Sequence, residues 1–135
     1  MIGERENEVA VRRMWERFEA REWYEARAAF SHDLVVYWSH TRETFRGGMT
    51  FVEMNRAFPD WDHIQNDRVV GKGRLVVSEI TVTAGDRIFR AAAFFEMLRV
   101  KIARAIEYWI GEGMETPPSW RAPFATRGRS DKGGT

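Results

Sequence analysis

Glu79, Arg90 and Glu107 are the residues whose types and spacing first suggest chemistry, with Thr81 and Trp109 in the same alternating pattern. A carboxyl group removed from water can hold or release a proton near neutral pH, and a nearby guanidinium can position or neutralise charge. Cysteine is absent, which removes thiol nucleophiles, thiolate metal sites and disulfides together. His32, His40 and His63 show no metal-ligand spacing. The chemistry to expect is therefore proton transfer without a metal or cofactor.

The elements that would position these groups can be read from periodicity. Val11, Met14, Trp15 and Phe18 recur at helical spacing within residues 4–20, and Glu8, Arg12, Arg13, Glu16 and Arg17 form the solvated face. Trp23, Ala26 and Phe30 continue an apolar stripe into a second short helix ending near Ser31-His32-Asp33. Leu34 to Trp38 reads as a strand, followed by a loop with Gly47-Gly48. Thr50 and Glu53 have capping-box spacing for a third helix carrying Phe51, Met54 and Phe58, which Pro59 stops. Residues 64–70, 74–83, 88–98 and 101–110 then read as strands whose short connections make neighbours antiparallel.

Turn positions set a register. A turn over Ala84–Arg87 places Glu79 opposite Ala92 and Thr81 opposite Arg90. A turn at Arg99-Val100 places Ala92 opposite Glu107 and Arg90 opposite Trp109. One face would then carry Glu79, Ala92 and Glu107 in a row, with Thr81, Arg90 and Trp109 in the next. Ala103 and Ala105 would leave space beside them. Such a face could form a cavity, an exposed structural ion pair or a dimer contact.

The chain has 135 residues and a mass of 15.8 kDa, the size of one domain. Residues 1–124 are expected to form it, with a disordered tail from 125 to 135 and Trp120 available to dock. Hydrophobic residues at 44% and charged residues at 30% are ordinary globular composition. The net charge of +1, from 21 basic and 20 acidic residues, argues against binding nucleic acid by charge. No apolar run is long enough to span a membrane, and Glu4, Arg5, Glu6 and Glu8 occupy the place of a signal sequence. A cytoplasmic protein is expected.

The order helix, helix, strand, helix and four antiparallel strands resembles the nuclear transport factor 2-like superfamily, and its SnoaL-like branch in particular. The resemblance covers about residues 5–124 and is carried by Phe95-Glu96-Met97, Lys101-Ile102, Glu107-Tyr108-Trp109, Pro117-Pro118 and Trp120-Arg121. It implies an α+β cone of three N-terminal helices packed on a strongly curved antiparallel sheet, with a pocket between helices and sheet. Glu107, Trp109, Ala105 and Ala103 would face that pocket, as would Trp38, Met14 and Phe18, and His40 could reach its mouth. Family members usually carry Asp-Gly where this chain has Arg99-Val100.

The resemblance also limits the chemistry. Ketosteroid isomerases of the superfamily use an aspartate near the end of the first strand and a tyrosine on the first helix; those places resemble Trp38 and Met14 here. Its limonene-epoxide hydrolases use an acid–arginine–acid set, of which Glu107 matches the last acid, while the other two places look like Glu79 and Thr81. Arg90 could supply the cation from another strand. Two readings follow. One is a cofactor-independent acid–base enzyme of isomerase, cyclase, hydrolase or dehydratase type acting on a mainly apolar small molecule. The other is a non-catalytic ligand-binding or dimerisation module. Either would pair as a homodimer through an outer face carrying Ile102, Ile106, Tyr108 and Ile110.

Overall fold

The computed structural model describes residues 2–128. Helix α1 spans Ile2–Glu19, followed by one turn of helix, α2, over Trp23–Ala26 and a 3-10 turn over Arg27–Ala29. Strand β1 (Phe30–Trp38) leads to a short β2 (Glu43–Arg46), then α3 (Gly48–Arg56), β3 (His63–Lys72), β4 (Leu75–Ala84), β5 (Arg87–Leu98) and β6 (Lys101–Gly111). The strands form one sheet in the order β2-β1-β6-β5-β4-β3. Every pair is antiparallel except β1 and β6, which run parallel, so the sheet is mixed. No helix among the described residues is long and apolar enough to cross a membrane.

The helical stripe of α1 lies on the inner face of the sheet. Val11, Met14, Trp15 and Phe18 are fully buried and pack with Phe51, Val36, Ile80 and Phe95. Trp15 Nε1–H donates to the buried Ser78 hydroxyl at 3.1 Å, which gives a core indole the partner it needs. Glu8, expected on the solvated face, instead accepts the Gly71 amide at 2.7 Å and pins α1 to β3. A Cβ at Gly71 would meet the Glu8 side chain at 2.8 Å, so a larger residue there would push Glu8 out of its present position.

Several local expectations are corrected. The break after α1 has no glycine because Arg21 adopts φ +60°. Its guanidinium sits 3.5 Å from the Trp61 ring centre and donates to the Trp61 and Asp62 carbonyls. β2 falls in a segment that reads as loop. α3 begins two residues before Thr50, with Gly47 as N-cap at φ +92° and no side-chain cap, so Thr50 and Glu53 form no capping box. Trp120 does not dock; it is 69% exposed on a 3-10 turn over Ser119–Phe124. Residues 129–135 of the expected tail lie outside the described residues.

The largest correction concerns register. The first hairpin pairs Glu79 with Ala92 and Thr81 with Arg90, as expected. The second also closes on Leu98 and Lys101 around Arg99-Val100. Ala103 is then an extra residue in β6, so Glu96 pairs with Arg104 rather than Ala103, and Ala93 rather than Ala92 faces Glu107. Such a bulge shifts pairing by one residue, and pleating turns that shift into a change of face. Ile102, expected outside, is 1% exposed on the inner face for the same reason.

Candidate functional site

The bulge splits the expected constellation. Glu107, Trp109 and Ala105 point inward with Ala91 and Ala93. Glu79, Thr81, Arg90 and Ala92 lie on the outer face. There Arg68 Nε donates to Glu79 Oε1 at 2.7 Å, Thr81 donates to Asp67 at 2.6 Å, and Arg90 donates to Thr81 at 2.9 Å and to Glu112. Arg90 is therefore committed on the face opposite Glu107 and cannot neutralise it.

Glu107 sits in an inner row. Parallel pairing puts Trp38 directly beside it, antiparallel pairing puts Ala93 on the other side, and Ser78 lies beyond Ala93. Alternation along β6 brings Trp109 to the same face. Both indoles converge on one oxygen: Trp38 Nε1–H donates to Glu107 Oε1 at 2.9 Å and Trp109 Nε1–H at 3.0 Å. The other oxygen, Oε2, is buried and has no hydrogen-bond partner among the described residues. Glu107 as a whole is 1% exposed.

Opposed effects set its protonation. Burial disfavours the carboxylate and pushes the pKa from 4.5 up to about 7, while the Trp109 and Trp38 hydrogen bonds pull against that rise. Desolvation wins because, among the described residues, no cation lies against the carboxyl. Both protonation states of the group are therefore accessible near neutral pH.

Aromatic side chains surround the pair of indoles. Trp38 stacks on the exposed His40 ring at 5.3 Å, meets Phe45 edge-on at 5.0 Å and lies 5.8 Å from Trp109. Phe58, from the loop after α3, packs on Phe89 at 5.2 Å and on Trp109 at 6.3 Å. Trp61, held by Arg21, anchors the far end of that loop. A cleft of about 610 Å³ lined by Trp109, Ile110, Gly111, Glu112 and Met114 touches this cluster at Trp109 alone, and Glu107 does not line it. Met14, expected to face a pocket, is core at 1% exposure.

Phe45 and Asn66 belong to the inner surface but escape sequence reasoning, and Phe58, expected on the third helix, sits in the loop after it. Asn66 pairs with Ile80 in the row that ends on Trp109, and its Oδ1 is buried without a partner. A lone amide among the inner positions of β3 was the available signal. Among the described residues no group of three or more histidine, aspartate or glutamate side chains could hold a metal ion.

The mixed curved sheet closed by N-terminal helices is the nuclear transport factor 2-like cone. Solved structures bear this out. The chain is similar to a candidate ketosteroid isomerase from Kribbella flavida (TM-score 0.81, 22% identity, covering 94% of this chain and 93% of that one). It is also similar to an NTF-2 like protein of unknown function from Burkholderia xenovorans (0.75, 16%, 94% and 98%). An LEH-like epoxide hydrolase of M. tuberculosis shares the fold too (0.65, 22%, 78% and 83%), as do candidate SnoaL-like polyketide cyclases from Shewanella. By sequence, no family model and no curated protein matches the chain. At these identities the likeness establishes fold, and function must be argued from the site.

Proposed function

We propose that this protein is a small-molecule acid–base enzyme of isomerase, cyclase, hydrolase or dehydratase type, with Glu107 as the proton-transferring group. The observation that carries the reading is the asymmetry of the Glu107 carboxyl. Oε1 is occupied by two indole donors, while Oε2 is buried and unpartnered. A proton on Oε2 can pass to a carbonyl, hydroxyl or epoxide oxygen of a substrate. The charge then left on the carboxylate is absorbed at Oε1 by Trp38 and Trp109, donors already in place before reaction. In reverse, the ionised form can abstract a proton from carbon or from water.

The surrounding Phe45, Phe58 and Phe89 favour a mainly apolar substrate, entering beside Trp109 with His40 at the rim. The isomerase, cyclase and epoxide hydrolase descriptions of the similar structures support an acid–base reaction type. Glu79, Thr81 and Arg90 lie across the sheet and take no part in the proposed step.

A panel of small apolar epoxides, β-hydroxyketones and β,γ-unsaturated ketones tests the reading. Turnover of at least one, lost by 100-fold or more in E107Q, is the expected result. Unchanged turnover in E107Q would overturn it.

A second surface bears on assembly. The outer face exposes Phe94, Ile106, Tyr108 and Ile110, with Phe94 and Tyr108 in edge contact at 6.0 Å. We assign this patch to homodimerisation, which sedimentation at micromolar concentration checks. It is compatible with either role for Glu107.

A further inference from the structure

The turn at Arg99-Val100 carries an unexplained cost. Both residues have positive φ, +54° and +62°, the conformation of a two-residue hairpin turn that asparagine and glycine adopt readily and a β-branched valine resists. Strain of this kind persists where the side chain has a use. Val100 is 38% exposed, so the chain does not retain it merely to fill the core.

What Val100 does touch is a surface groove along α1. Two clefts, of about 310 and 270 Å³, share Ala10, Arg13 and Val100 as lining. The first continues to Val9 and Arg5, the second to Met14 and Arg17. The floor is apolar and the rim carries three arginines against one glutamate, Glu6. Arg17 also donates to the Glu25 carbonyl, whereas Arg5 and Arg13 have no hydrogen bond or ion pair among the described residues. Lys101 Nζ donates to the Ala28 carbonyl at 2.7 Å and ties the hairpin against this end of the helices.

We propose that this groove binds an extended acidic peptide segment of a partner protein, with Val100 as its apolar contact. The spacing of the cations defines the ligand. Along the helix axis Arg13 lies about 12 Å beyond Arg5, and Arg17 about 6 Å beyond Arg13. An extended segment advances about 3.3 Å per residue, so acids about four and then two residues apart meet the three arginines from one face of the strand. The same-face residue between the first two acids falls level with Ala10 and Val100 and should be apolar. The ligand is thus a seven-residue segment with acids at its first, fifth and seventh positions and a leucine-like residue at its third.

A fluorescein-labelled synthetic peptide with glutamate at those three positions and leucine at the third tests this by anisotropy on the full chain. The designed order should bind at least tenfold more tightly than a scrambled peptide of the same composition. R13E should weaken binding at least tenfold. V100G should weaken it at least fivefold while raising the melting temperature, because glycine relieves the turn. Equal affinity for the scrambled peptide overturns the proposal, as does full binding by R13E. Unchanged binding in V100G overturns the role of Val100 whatever happens to its stability.

Discussion

Glu79 and Glu107 stand on opposite faces of one sheet and show how little residue type decides. Glu79 is solvent-facing and paired at 2.7 Å with an arginine that is itself largely exposed. Glu107 is buried, has no cation against it among the described residues and is held by two neutral donors on a single oxygen. The exposed pair adds little, since solvent screens it and two long side chains must be ordered. The buried acid is costly to ionise, and its pKa is raised accordingly. An arginine beside a glutamate looks like chemistry in a sequence; here the acid we propose for proton transfer is the one that has none.

The contrast can be broken or sharpened in order of expected effect. In any substrate assay E107Q should lose 100-fold or more in turnover, whereas E79Q and R90K should stay within twofold. Loss in both sets would dissolve the difference between the faces.

Stability against pH comes next. Between about 4.5 and 7 the folded carboxyl of Glu107 keeps a proton that the unfolded chain releases. The folded state then binds more protons, so stability falls as pH rises through that window, by roughly 3 kcal/mol once the group is fully ionised. Urea denaturation at a series of pH values should show this decline in the native protein and a flatter profile in E107Q. A native profile that rises over the same interval would contradict the account.

Removing one indole donor is a smaller change. W109F and W38F should each raise the Glu107 pKa further and move the pH–rate inflection upward, with W109F having the larger effect. Each should also cost about 1 kcal/mol for the lost hydrogen bond, beyond the loss of packing. Smallest of all, a double-mutant cycle on Arg68 and Glu79 should yield a coupling under about 1 kcal/mol that salt reduces further.

Much of the framework was legible because periodicity reports which side of an element is dry. The α1 stripe, the four long strands and the first hairpin register all follow from alternation and turn residues. The direction of Glu107 was legible from the fold resemblance, and Trp109 follows as its same-face neighbour. What failed was the link from Glu107 to Arg90, because Ala103 has nothing in its identity that marks it as a bulge. The Arg21 break was equally silent, since an arginine takes positive φ there only because Trp61 and two carbonyls receive it.

The sequence by itself determined an α+β domain with an aromatic interior, no thiol chemistry and an acid on its last strand. Those properties depend on local pattern and composition, which a linear chain displays. Only the tertiary structure decided which groups share a face with that acid, because a single extra residue reverses every later side chain in a pleated strand. It also decided the state of the acid, since protonation depends on the water and charge excluded by segments distant in the chain. Trp38, 69 positions away, supplies half of its hydrogen bonding.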